Sequence, residues 1–84
     1  DMERAADRGL RSAAANPRYT SNLRLTAAAL MALGRREPAR ELAQRVLEVE
    51  PEFRVGPMMA RQAFRDPDVR RHFAEQMVAA GLPA

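Results

Sequence analysis

Few residues in this chain could do chemistry, and their spacing suits it poorly. The one histidine, His72, has a single carboxylate at helical distance, Asp68, four positions earlier. A zinc site needs three or four ligands, and there is no cysteine to complete the set. Ser12 and Ser21 have no histidine in their own stretch to act as base, so nucleophilic catalysis has no support. Gly34-Arg35-Arg36 imitates a phosphate-binding loop only superficially. Such a loop needs several glycines between a strand and a helix, and no strand is evident. The expectation is a fragment that is not an enzyme, with no catalytic, metal or cofactor residue.

The arginines are the remaining chemical feature. All 14 basic residues are Arg, set against 11 acidic ones, for a net charge of +3. Lysine-free, Ala- and Arg-rich usage is read as the base composition of a bacterial genome. Arg61, Arg65, Arg70 and Arg71 cluster near one end, and Arg35, Arg36 and Arg40 near the middle. Nucleic-acid binding would add exposed aromatics for stacking. The four aromatics, Tyr19, Phe53, Phe64 and Phe73, all stand at places that look structural, so a solvated, partly acid-paired arginine surface is expected and a nucleic-acid partner is not.

These residues must be carried on helices. With 84 residues, 46% hydrophobic and 30% charged, the chain is one small globular domain. The longest near-apolar run, Leu25 to Leu33, is too short to span a bilayer. No signal segment opens the chain, so a soluble, cytoplasmic location is the default expectation.

Asp1 to Asn16 reads as a first helix with Met2, Ala5, Ala6, Gly9, Leu10 and Ala13 on one face and an Asp7–Arg11 pair. Gly9 in mid-helix costs about 1 kcal/mol against Ala, tolerable where another helix comes close. Asn16-Pro17 ends it. A second helix, Tyr19 to Leu33, should be capped by Thr20 or Ser21. Its stripe is Leu23, Ala27 and Leu30, and Gly34 takes the left-handed position after its end. A third, Glu37 to Glu50, carries Pro38 in its first turn, buries Ala39, Leu42, Ala43, Val46 and Leu47, and pairs Glu41 with Arg45. Glu50-Pro51 closes it. Phe53 and Val55 should anchor the exit. Gly56-Pro57 opens a short helix over Met58 to Phe64, with Met59, Ala63 and Phe64 on one side. Asp66-Pro67-Asp68 starts the last helix, with Val69, Phe73, Met77 and Ala80 inward and Gly81 at its end. The predicted core is Leu23, Ala27, Leu30, Ala39, Leu42, Val46, Leu47 and Phe53. Met59 and Met77 are read as core, Met31 and Met58 left open, and His72 as a surface residue.

Pro17 and Pro51 stand 34 residues apart. At that offset Glu3 matches Glu37, Ala5 matches Ala39, Arg11 matches Arg45, Asp7 resembles Glu41 and Tyr19 resembles Phe53. A helix–turn–helix period of this length points to stacked helix pairs. Leu23, Ala27, Gly34, Ala39 and Pro51 then resemble the tetratricopeptide repeat at its own spacing: large, small, turn glycine, small, terminal proline. Leu30 replaces the usual Tyr, and Ala43 a bulky aromatic. The resemblance implies an all-α, tetratricopeptide-like domain over residues 1–84. Residues 1–19 are then the second helix and exit turn of a partial repeat, 20–53 one full repeat, and 54–84 a short helix plus a capping helix.

The tail, PEFRV, then AFRDPDVRRHF, then AGLPA, resembles the C-terminal end of bacterial signalling proteins, notably class III adenylate or guanylate cyclases with helical repeats after the catalytic domain. That implies the C-terminal part of a larger protein, possessing no cyclase residue of its own. The implied function is protein–protein interaction, scaffolding or regulation, and the alternative is a small Arg-rich nucleic-acid-binding domain. In the repeat family, ligands lie against first helices, which places Ser21, Arg24, Ala28, Met31 and Ala32 on the groove. Ala28 stands where the family's carboxylate-clamping members have Asn, so clamp-type recognition is not expected. The partners expected are a protein or peptide, the upstream domains of the same chain, and a second copy through the apolar face of the first helix. That face has lost its preceding helix, so it should self-associate or fray. No cofactor and no membrane partner are expected.

Overall fold

The computed structural model describes residues 1–62 and 65–84. Its described residues form five helices and no strand: α1 Met2–Ala15, α2 Thr20–Ala32, α3 Arg36–Val49, α4 Val55–Ala60 and α5 Pro67–Ala79.

Local chemistry accounts for most of the ends. The Asp1 carboxylate accepts from the backbone N–H of Glu3 at 2.8 Å and of Arg4 at 3.3 Å, which caps α1. Gly34, at φ +79°, closes α2. Its N–H donates to Met31 O at 3.0 Å, and the Arg35 N–H donates to Leu30 O at 2.8 Å, the paired bonds of a Schellman turn. The same pair recurs after α5, where Gly81 N–H reaches Val78 O at 3.0 Å and Leu82 N–H reaches Met77 O at 3.1 Å. Leu82 is buried there. Asp66 caps α5 by accepting from Asp68 N–H at 2.8 Å, with Pro67 in the first position.

Two starts differ from expectation. The cap position of α2 is Tyr19, with no side-chain cap bond. Thr20 and Ser21 use their hydroxyls elsewhere, Thr20 donating to Glu50 Oε1 and Ser21 accepting from Arg24. The short helix α4 begins at Val55, ahead of Gly56-Pro57, and stops at Ala60. Its first-turn N–H groups would be orphans, and they find partners in the C-terminal segment: Val55 N–H donates to Pro83 O at 2.8 Å and Gly56 N–H to Ala84 O at 2.9 Å. Pro57 has no N–H to lose. Ala63 and Phe64, expected on the inner side of this helix, lie outside the described residues.

The 34-residue period is visible in the backbone. α1 and α3 are both 14 residues long, and each starts and ends 34 residues from its counterpart. Asn16 leaves α1 at φ −133°, ψ 75°, and Glu50 leaves α3 at φ −127°, ψ 79°. Asn16 N–H donates to Ser12 O at 2.8 Å and Glu50 N–H to Val46 O at 2.7 Å; then Tyr19 N–H donates to Asn16 O at 3.2 Å and Phe53 N–H to Glu50 O at 3.0 Å. The match is in backbone register and not in burial. Ala39 is fully buried while Ala5 is exposed, and Phe53 is buried while Tyr19 is 62% exposed.

Helix α2 is the centre of the packing, with α1, α3 and α5 against it and α4 against α5. Leu23, Ala27, Leu30, Ala39, Leu42, Val46 and Phe53 are all buried, as are Met58, Met59, Met77, Ala80 and Leu82. Leu47 is only half-buried. Val69 is 50% exposed, and Pro67 to His72 are all exposed, with the Arg70 guanidinium donating back to Met59 O at 3.1 Å. Ala6, Gly9 and Ala13 of α1 are buried, with α2 packed against the helix. Part of the face expected to lack a partner is therefore covered by α2, while Met2 is 46% exposed, Ala5 is exposed and Leu10 is half-buried. Of the two i,i+4 pairs expected, Asp7 is taken by Arg35 at 3.7 Å, and Glu41 forms no ion pair with Arg45 among the described residues. Exposed pairs of this kind contribute little.

Ala39 is fully buried on the helix that packs against α2. Ala39→Leu should push the hairpin apart and cost about 1–3 kcal/mol, read by denaturant unfolding. A midpoint equal to the parent's would contradict this packing.

Candidate functional site

The face of α2 that carries Ser21, Arg24, Ala28 and Met31 is not an open groove. α5 packs across it. Ala28 is 3% exposed and belongs to the core, and Met31 is half-buried against that core. Phe73 of α5 lines two small clefts left on either side. One, about 110 Å³, is lined by Ser21, Arg24, Leu25, Met58, Met59, Gln62, Phe73 and Met77. The other, about 40 Å³, lies between Met2, Ala28, Ala29, Ala32, His72, Phe73 and Gln76. Ligand pockets run to about 300–1,000 Å³, so both are too small for an organic ligand.

Arg24 is the most heavily engaged side chain of that face, at 14% exposure. Its guanidinium donates to Thr20 Oγ1 at 3.3 Å and to Ser21 Oγ at 3.2 Å. It lies 3.5 Å from Glu50 Oε1 and 5.1 Å from the centre of the Phe53 ring. Thr20 donates to the same Glu50 oxygen. The start of α2 is thus joined to the end of α3 and to the exit turn. The spacing Arg24, Glu50, Phe53 carries no local signal, since the three meet only once the hairpin closes.

The residues with catalytic potential stay apart. His72 is exposed, and the Asp68 carboxylate accepts from Arg71 at 2.8 Å. Ser12 is exposed on α1. Among the described residues no three His, Asp or Glu side chains come together in a way that could hold a metal ion, and no helix is long and apolar enough to cross a membrane.

Two of the broader depressions among the described residues differ in character. One of about 540 Å³ follows the exit turn, between Glu50, Glu52, Phe53, Arg54, Pro57 and Arg61. The other, about 480 Å³ and almost wholly apolar, lies between Val55, Gly56, Ala74, Val78 and Ala79, with Arg71 and Glu75 at its edge. An interaction that sequence reading missed is the cross-link from Arg35, which reaches Glu3 at 3.1 Å and Asp7 at 3.7 Å. It spans 32 residues and has no local signature.

No protein-family model matches this chain, and neither a curated protein nor a solved structure matches it.

Replacing Arg24 with Met keeps much of the packed stem and removes the charge. The loss of two hydrogen bonds, an ion pair and a cation–π contact should destabilise by about 1–2 kcal/mol. Chemical denaturation checks this, and a variant as stable as the parent would show that the cluster contributes nothing.

Proposed function

We propose that this chain is a non-catalytic interaction module of the tetratricopeptide kind, belonging to the C-terminal part of a longer bacterial signalling protein. The observation that carries the reading is the recurrence of one helix end 34 residues apart, with matching dihedrals and matching cap hydrogen bonds at Asn16 and Glu50. The full repeat, 20–53, supports it further. Gly34 turns the chain in the left-handed region, and Leu23, Ala27, Leu30 and Ala39 are all fully buried. Stacked repeats rest on neighbour-to-neighbour interfaces of this sort.

The nucleotide-cyclase attachment rests on the tail residues alone. Phe53 and Val55 of PEFRV and Leu82 of AGLPA are buried, and backbone bonds tie Val55 and Gly56 to Pro83 and Ala84. The tail motif is thus a structural lock that holds α4, and any enzymatic activity of the whole protein would reside elsewhere in it.

In this reading α5 fills the place on the first-helix face that a ligand takes in the repeat family. A partner meets the edges that α5 leaves, where Leu25 is 52% exposed and Met31 half-buried. The test is a photoreactive residue at position 25 of the full-length protein in its own cells. A crosslink to one discrete protein, or to one distant segment of the same polypeptide, is expected. Crosslinks confined to α4 and α5 would contradict an interaction role for this face.

A further inference from the structure

We propose that the outward face of α1, continuing into the α1–α2 turn, is a docking stripe for single-stranded nucleic acid: Arg4, Arg8, Arg11 and Arg18 take phosphates, and Tyr19 stacks on a base. This goes beyond the scaffolding role and uses a different surface.

The first observation is charge segregation. Arg4, Arg8 and Arg11 follow i, i+4, i+7 spacing, so they share one side of the helix. They stand opposite Ala6, Gly9 and Ala13, which are buried. At 1.5 Å per residue they cover about 10 Å of helix. All four arginines are exposed, and none joins an ion pair among the described residues. The two acids of α1 that could neutralise them, Glu3 and Asp7, face Arg35 instead at 3.1 and 3.7 Å. Elsewhere Arg40 lies 3.7 Å from Glu37, and Arg71 lies 2.8 Å from Asp68 and 3.9 Å from Glu75. Arg36, Arg45, Arg54, Arg61, Arg65 and Arg70 are also exposed and outside the described ion pairs, so what sets α1 apart is that three such arginines share one side of one helix. α1 therefore carries a stripe of one sign on a chain of net charge +3.

The second observation is Tyr19. From the sequence it matched Phe53 and looked structural; in the fold Phe53 is buried and Tyr19 is 62% exposed. It follows Arg18 directly, at the C-terminal end of the stripe, and its backbone is held by the bond to Asn16 O at 3.2 Å. An exposed aromatic that directly follows an arginine in the chain offers the two groups that unstacked bases and phosphates recognise. Arginine forks match phosphate oxygens two at a time.

Two other polyanions fit less well. A membrane surface would need a broad apolar helix face free to insert, and the centre of that of α1, Ala6, Gly9 and Ala13, is buried. A duplex hides the base faces that Tyr19 would stack on.

The test is binding of a fluorescent oligothymidine to the full chain, with heparin as a polyanion that has no bases. Log affinity should fall with log salt at a slope of about −2 to −3, for three to four phosphates on a single strand. Arg4→Gln with Arg8→Gln should flatten that slope by about 1.4 and weaken both ligands. Tyr19→Ala should weaken the oligonucleotide about 5- to 150-fold, leave the slope unchanged and leave heparin binding as it was. These side chains are exposed, so the variants should melt as the parent does, which circular dichroism verifies. No oligonucleotide binding at about 50 mM salt, where phosphate contacts are strong, would overturn the proposal. So would a Tyr19→Ala effect equal on both ligands, or tighter binding to anionic vesicles or to duplex than to the single strand.

Discussion

Helices α1 and α2 meet closely at Gly9, and the packing around α2 builds on that contact. A Cβ placed on Gly9 would lie 1.9 Å from Thr26 Oγ1 and 2.8 Å from Thr26 Cβ. No side chain fits there. At that distance Asn22 reaches across and donates to the Gly9 carbonyl at 3.0 Å, while the Thr26 hydroxyl sits 3.4 Å from Asn22 Oδ1. A carbonyl already used in a helix ladder has a second lone pair to offer. The crossing is therefore closely packed and polar, with the buried Thr26 satisfied. Among the described residues no buried side-chain N or O atom lacks a partner.

Close approach matters because α2 is enclosed from three directions. α1, α3 and α5 all lie on it, and small buried residues on α2, set between Leu23 and Leu30, let the neighbours come close. Thr26, Ala27 and Ala28 are successive residues, about 100° apart around the helix, and all three are buried. Enclosure also decides what α2 can do. Arg24 becomes a joint between the hairpin and its exit turn, and Ala28 becomes core. The surface left to a partner is at the edges and on α1, whose inner side is apolar and small and whose outer side is arginine.

What was legible in the sequence is what backbone chemistry dictates over a few residues. Asn16-Pro17 and Glu50-Pro51 ended helices because the residue before proline avoids the helical region. Gly34 and Gly81 took positive φ, Asp66 capped α5, and Gly9 marked a close neighbour. Leu23, Leu30, Leu42 and Val46 fell inward as their spacing required, while Leu47 is only half-buried. The misses involve partners far away in the chain. α4 starts early because carbonyls of Pro83 and Ala84 accept its first N–H groups. The hydroxyls of Thr20 and Ser21 leave the cap position for Glu50 and Arg24. Asp7 turns from Arg11 to Arg35. The candidate groove was legible as a helix face, yet nothing in its spacing says that α5 folds over it. Tyr19 and Phe53 share a register and differ in burial, because only the latter is part of the core; a period records backbone geometry, not neighbours.

Gly9 holds α1 against α2, and the substitution Gly9→Ala, alone and combined with Thr26→Ala, probes that contact. Helix propensity by itself favours Ala over Gly by about 1 kcal/mol, so the two effects have opposite signs. Gly9→Ala should be net destabilising in chemical unfolding, by about 1–3 kcal/mol from overpacking. The loss should shrink by at least about 0.5 kcal/mol in the Thr26→Ala background, since contacting sites couple. A Gly9→Ala protein more stable than the parent, with no coupling to Thr26, would contradict that contact.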